Sequence, residues 1–161
     1  MAGPPSPDSN RAEEISMRSF FIAVSIALAM AAASGAAKEQ SLQDLIARAN
    51  AAPIKDQPSL YSDIAERQFK SAEDLYNQGK NDDARAAIAD VVTYSQKAHD
   101  AAVQSGKRLK ATEMASRKMS HRLQDLKLTL NYDDQAPVQD AADRLQSMAE
   151  DLLTHMFGKG K

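Results

Sequence analysis

Apolar and small residues recur at steps of three and four along the chain from about residue 42 onward. This spacing places them on one face of an α-helix, because a helix completes a turn in 3.6 residues. The pattern is interrupted at Pro53, Gly79, Gly106 and Pro137, residue types that mark helix ends or helix starts. No stretch shows the alternation typical of a strand. The sequence therefore predicts an all-α fold, an antiparallel helical bundle of about four main helices plus a short N-terminal helix.

The first two helices are separated by a proline. Residues 38–58 are expected to form a short helix, beginning at Ser41, and a linker, because Pro53 disfavours helical conformation in the residue before it. Ser59 has a side chain suited to cap the second helix, which we expect to end near Gln78.

The third and fourth helices are separated only by Gly106. Asn81 is predicted to cap a third helix over residues 82–105, and a fourth follows over 107–130. Glycine inside a helix costs only about 1 kcal/mol, so two outcomes stay open. Either Gly106 turns the chain, or it kinks one long rod.

The last helix is expected to follow a turn over residues 131–136. Pro137 suits the first turn of a helix, and the apolar pattern continues to Phe157. Residues 59–157 are then the bundle domain and residues 158–161 a frayed tail.

Two helices each carry a row of apolar or small residues, which we call a seam. The residues of a seam recur at the alternating three- and four-residue steps used by bundles and coiled coils. In the third helix the seam contains small residues, which allow neighbouring backbones to approach closely: Ala84, Ile88, Val91, Ser95, Ala98 and Ala102. In the fourth helix it comprises Leu109, Thr112, Ser116, Met119, Leu123, Leu126 and Leu130.

Charge predicts which helices are neighbours. The fourth helix is mostly basic and the last one, with its preceding turn, is mostly acidic. Opposite charge favours these two as adjacent antiparallel helices, although each exposed ion pair contributes only about 0–1 kcal/mol.

Composition removes several classes of function. The 161 residues carry a net charge of −2, which gives no overall field that attracts nucleic acid. The basic fourth helix lacks aromatic residues on which bases could stack, so we expect no nucleic-acid partner. There is no cysteine, which excludes disulfides, thiolate metal sites and cysteine nucleophiles.

Residues 17–37 have the organisation of a secretion signal. A basic start at Arg18 precedes an uncharged apolar stretch over residues 20–33, and small residues follow up to the first charge at Lys38. We expect cleavage after Ala36 or Ala37 and an exported protein, periplasmic or extracellular, with no stable membrane span.

Two alternatives concern this part of the chain. An uncleaved segment over residues 20–37 would anchor the protein in a membrane. Residues 1–16 are polar and rich in proline, so they are either a disordered extension or an upstream stretch before a true start at Met17.

Candidate ligand residues are few. Met119, His121, His155 and Met156 are the candidate metal ligands, since thioether and imidazole groups suit copper. No pair lies at a spacing that directs both side chains to one ion, and methionine more commonly fills gaps in a core. We therefore expect no metal and no cofactor, with His99 as the remaining candidate for a bound cofactor.

No catalytic motif is present in the sequence. It contains neither a phosphate-binding loop nor a nucleophile elbow, and no carboxylate lies in an apolar stretch that would raise its pKa for acid–base chemistry. The sequence thus favours a protein that is not an enzyme.

Two short segments resemble known families. Ala72, Tyr76, Gly79 and Ala84 have the offsets of a tetratricopeptide repeat turn, and the resemblance covers about residues 72–92. It implies a helical hairpin inside a bundle, because no second copy follows to form an array.

Residues 79–99, which end at His99, also resemble the final hairpin of exported b-type cytochrome four-helix bundles. In that family a histidine at the place of His99 ligates haem, but here more than 60 residues follow the hairpin.

The two resemblances and the export signal lead to two hypotheses. One is a non-enzymatic interaction or structural protein of the cell envelope that binds another protein or itself through helical faces. The alternative is a carrier of a small ligand, haem or metal.

Overall fold

The computed structural model describes residues 41–158, and they form five helices. Helix α1 covers residues 41–51, and the four longer helices are α2 (Gln57–Asn77), α3 (Asn81–Ser105), α4 (Leu109–Lys127) and α5 (Tyr132–Phe157). The all-α bundle of four main helices plus a short N-terminal helix is thus confirmed. The predictions for residues 1–37 and for most of the tail lie outside the described residues.

Gly106 turns the chain and does not kink a rod. Its backbone is left-handed, with φ of +64°, and Arg108 two residues later also has a positive φ of +58°. A left-handed residue ends a helix because it leaves the right-handed path. Helices α3 and α4 are therefore separate elements joined by a three-residue connection. Gly79 ends α2 in the same way, with φ of +71°.

Several predicted helix ends differ from the observed ones. Helix α2 begins at Gln57, which places Pro58 in its first turn, so Ser59 lies inside the helix and is not its cap. Asn81 likewise does not cap α3, because it is the first residue of that helix and no side-chain cap hydrogen bond forms there. Its side-chain amide instead donates to Asp134 on another helix. Helix α4 is shorter at both ends than residues 107–130.

The turn predicted over residues 131–136 is wrong, because α5 begins at Tyr132 and Pro137 lies inside it. The extra helical turn brings Asp134 into the core, where it accepts hydrogen bonds from α3. Pro137 removes one backbone N–H and so leaves the carbonyl of Asp133 without its helical donor. Asp133 is exposed, so water can supply that donor.

The four long helices form two antiparallel hairpins, α2–α3 and α4–α5. We name them the first hairpin and the second hairpin. Asn81 near the start of α3 contacts Asp134 near the start of α5, and His99 contacts Asp151 further along both helices. Helices α3 and α5 therefore run in the same direction. Ion pairs from Arg122 to Glu66 and Glu73 join α4 to α2.

The core lies between the two hairpins and is built mainly from the predicted seams. All six seam positions of α3 are buried, as are Thr112, Ser116, Met119 and Leu123 of the α4 seam. Phe69 and Leu145 fill the centre of the main cluster. A second cluster forms where α1 covers α2 and α3, around Ala49, Tyr61, Ile64 and Ala98.

Helices α4 and α5 are neighbours, as their charges predicted, but their main ion pairs run elsewhere. Arg122 of α4 pairs with Glu66 and Glu73 of α2. Asp134 of α5 pairs with Arg85 of α3. The contact between α4 and α5 is instead made by packing and by bonds such as that from the Ser120 hydroxyl to the Ala142 carbonyl, at 2.8 Å.

Candidate interaction surface

The contacts of α4 fix which of its sides points away from the protein. Ser120 faces α5 through its bond to Ala142, and Arg122 faces α2 through its pair with Glu66. Successive helical residues are rotated by 100°, so the side opposite both contacts is determined. That side carries Lys110, Met114, Arg117 and His121, all exposed, with Leu128 just beyond the helix.

The contacts of α5 likewise determine its outward side. Ala142 faces α4, since its carbonyl accepts the hydrogen bond from the Ser120 hydroxyl, and Asp151 faces α3 through His99. The side left over carries Tyr132, Asp143, Glu150 and Phe157, all exposed. We call these nine residues the outer face of the second hairpin, and we call its two parts, one on α4 and one on α5, its stripes.

The outer face holds most of the large apolar side chains that reach solvent. Among residues 41–158 five such side chains are exposed, and four belong to this face: Met114 (58%), Leu128 (77%), Tyr132 (87%) and Phe157 (77%). The fifth, Ile54, lies in the connection between α1 and α2 and is 40% exposed. Exposed apolar residues scattered singly are ordinary, whereas several on one face are typical of a binding surface.

The outer face is also divided by charge. Its α4 stripe is basic, and among the described residues neither Lys110 nor His121 forms an ion pair there, while Arg117 pairs with Glu113 of its own helix. Its α5 stripe is acidic. Asp143 and Glu150 accept hydrogen bonds only from glutamines of their own helix, Gln139 and Gln146. Acid and base therefore lie side by side on one surface.

The structure brings two of the three histidines together through one carboxylate. Asp151 lies 2.8 Å from Nε2 of His99 and 3.4 Å from Nε2 of His155. Nδ1 of His99 lies 2.9 Å from Asp100, so carboxylates face both of its ring nitrogens. A ligand bound at His99 would have to displace one of them. This arrangement ties α3 to α5.

The remaining sequence candidates lie apart. Met119 is buried in the core, His121 is exposed on the outer face, and Met156 is partly buried near the end of α5. Among residues 41–158 no three histidine or carboxylate side chains are grouped so that they could hold a metal ion. The position of Met119 is the gap-filling role that methionine commonly has in a core.

A buried polar cluster joins the starts of α3 and α5, and no pattern in the sequence predicted it. Asp134 is only 2% exposed. Its carboxylate accepts hydrogen bonds from Asn81 at 2.8 Å and from two guanidinium nitrogens of Arg85 at 2.9 and 2.7 Å. The Tyr76 hydroxyl is buried nearby without a hydrogen-bond partner among the described residues. Burial raises the pKa of Tyr76, and the Asp134 carboxylate raises it further.

Tyr76→Phe is expected to leave the free energy of unfolding unchanged or to raise it by about 1 kcal/mol. Removing a buried hydroxyl without a partner removes its desolvation cost and breaks no hydrogen bond. Urea denaturation of the two proteins measures the difference. A loss of more than about 1 kcal/mol would mean that water bonds this hydroxyl in solution.

No helix among residues 41–158 combines the length and the apolar character needed to cross a bilayer.

Comparison of the chain with protein-family models, with curated proteins and with solved structures finds no match. The tetratricopeptide-like and cytochrome-like resemblances therefore stay predictions, although residues 72–92 do form the expected turn between two helices.

Proposed function

We propose that this chain is an exported, non-enzymatic interaction or structural protein of the cell envelope, and that it binds its partner through the outer face of the second hairpin. One observation carries the proposal, namely the concentration of exposed Met114, Leu128, Tyr132 and Phe157 on that face. Covering such side chains contributes roughly 25 cal/mol for each Å² of apolar surface removed from water. A partner that covers all four side chains would gain this contribution over the whole apolar area that it removes from water.

The polar contacts around Asp134 and those around His99 support a structural role. The carboxylate of Asp134 and the ring of His99 are both engaged in bonds between helices. Such bonds fix how the hairpins sit against each other, which a rigid binding surface requires. The proposal of export depends on the pattern of residues 17–37, and the mass of the protein recovered from producing cells tests it.

Replacing Met114 with glutamate is expected to abolish the complex without affecting the fold. Met114 is exposed and lies between basic side chains, so the substitution leaves the core intact but puts a carboxylate where an apolar contact is needed. Size-exclusion chromatography of the exported fraction, concentrated before loading so that a weak complex persists on the column, with detection of this chain, should show wild type eluting above its monomer mass. Met114→Glu should elute as the monomer.

Ile54→Glu is the matched control, since Ile54 is an exposed apolar residue outside the outer face. It should elute with wild type. If wild type itself elutes as a monomer, or if Met114→Glu leaves a larger complex intact, the outer face is not the binding surface. Circular dichroism of both variants checks that the helices are retained.

A further inference from the structure

The partner of the outer face is, we infer, a second copy of this chain, related by a two-fold axis that runs parallel to α4 and α5. This inference rests on the proposed function and names the occupant of that surface. It follows from the charges of the residues on the two stripes and from their levels, by which we mean their positions along the helix axis. A two-fold interface requires that one surface be complementary to itself.

The antiparallel hairpin makes self-complementarity possible. Helices α4 and α5 lie side by side, so we place the axis parallel to them, in front of the outer face and midway between them; a rotation of 180° about it brings a second copy against this face with its α4 and α5 in exchanged positions. Helix α4 of one copy then lies on α5 of the other, and the reverse contact forms at the same time. Each cross-contact is between antiparallel helices, as within the hairpin itself.

The charges match across such an interface at equal levels. The bond between Ser120 and Ala142 shows that these two residues lie at one level. His121 is next to Ser120 and Asp143 is next to Ala142, so His121 of one copy meets Asp143 of the other. With a rise of about 1.5 Å per residue, Lys110 lies about 15 Å from that level and Glu150 about 12 Å, in the same direction.

The apolar residues match as well. In the opposite direction, Leu128 lies about 12 Å and Tyr132 about 15 Å from the level of Ser120. Leu128 of each copy would then cover Tyr132 of the other. These are the two most exposed large apolar side chains at the end where α4 turns into α5. The pairing thus covers the apolar ends and neutralises both stripes together.

The size of the surface predicts a weak dimer. Helix α4 has 19 residues and is about 28 Å long, and two packed helices are about 20 Å wide. The face therefore measures roughly 600 Å² per copy, somewhat below the 800 Å² typical of stable complexes. We expect a dissociation constant in the micromolar range, raised several-fold by salt because the charges lie at the surface.

Equilibrium sedimentation of the purified protein, as recovered from producing cells, tests the inference with two charge-reversed variants. One carries Lys110→Glu with His121→Glu and makes both stripes acidic. The other carries Asp143→Lys with Glu150→Lys and makes both stripes basic. Each variant alone should dimerise at least about tenfold more weakly than wild type. An equal mixture should form a heterodimer, because acid then meets base in both cross-contacts.

Matched controls reverse charges on α2, outside the outer face. Lys70→Glu and Asp63→Lys are both exposed there, and each should dimerise as wild type does. Variants that each remain dimeric, or a mixture of the two that stays monomeric, would overturn the two-fold pairing.

A second outcome separates this inference from the proposed function. Purified wild type that remains monomeric, together with a Met114-sensitive complex in the exported fraction, identifies a different chain as the partner. The second-copy inference is then wrong while the binding surface stands. Monomeric wild type in both measurements contradicts both proposals.

Discussion

Phe69→Ala is expected to lower the free energy of unfolding by about 3–5 kcal/mol. Phe69 is fully buried at the centre of the main cluster, between α2 and the second hairpin. The guanidinium carbon of Arg122 lies 4.2 Å from the centroid of its ring. The substitution would therefore leave a cavity and also remove the surface on which Arg122 stacks, and neither loss can be repaired by small movements in a close-packed core.

Phe157→Ala is the matched control for this prediction. The same ring is removed from a position that is 77% exposed, so the change in unfolding free energy should stay within about 0.5 kcal/mol. Urea denaturation followed by circular dichroism measures both variants, at a protein concentration low enough to keep the chain monomeric. Similar losses in the two variants would mean that Phe69 is not a central core residue.

Asp134→Ala should cost about 2–4 kcal/mol. The substitution removes the buried acceptor for Asn81 and for Arg85, and it leaves Arg85 with only the exposed Asp82 as a partner among the described residues. Because Asp134 is the residue through which the starts of α3 and α5 are joined, the loss should appear as a lower urea midpoint for the whole protein.

Asp133→Ala is the control, since Asp133 precedes Asp134 in the same first turn but is exposed. Both substitutions remove a negative charge near a helix start, which is worth about 0.3–1 kcal/mol. Only Asp134→Ala also breaks buried hydrogen bonds. If the two variants are equally stable, the hydrogen bonds of Asp134 contribute nothing beyond the helix-start effect.

The helices and their buried seams could be predicted because they depend on local spacing. The three- and four-residue steps of Ala84, Ile88 and Val91 reflect the helical period, and all three side chains are buried as expected. Glycine at a left-handed helix end is equally local, which is why Gly79 was predicted correctly. Opposite charge on α4 and α5 was enough to identify them as neighbours.

Two of the errors arose at positions that form a contact with a distant part of the chain. Asn81 has a side chain suited to cap a helix, yet it bonds Asp134 on another element. Pro137 has the features of a helix start, yet it lies inside α5, and the turn that precedes it carries Asp134, the acceptor of that bond. A capping preference is worth about 1 kcal/mol, so a buried charged hydrogen bond can override it.

The candidate surface could be predicted only in part. The opposite charges of α4 and α5 were evident, and the α4 seam already included Met119 and left out Met114, in agreement with their burial. That the exposed Met114 shares one face with Tyr132 of α5 depends on how α4 and α5 pack, which the spacing along each helix does not give. The pairing of His99 with Asp151 likewise depends on the parallel arrangement of α3 and α5.

The central claim is that the outer face of the second hairpin is covered by a partner in the producing cell. Its most direct test is photo-crosslinking from a benzoyl-phenylalanine placed at Met114, with the same group at Lys70 on α2 as the control. We predict a crosslinked product at Met114 alone, with twice the mass of the chain and containing only its peptides. Absence of any product at Met114, or equal products at Met114 and Lys70, would contradict it.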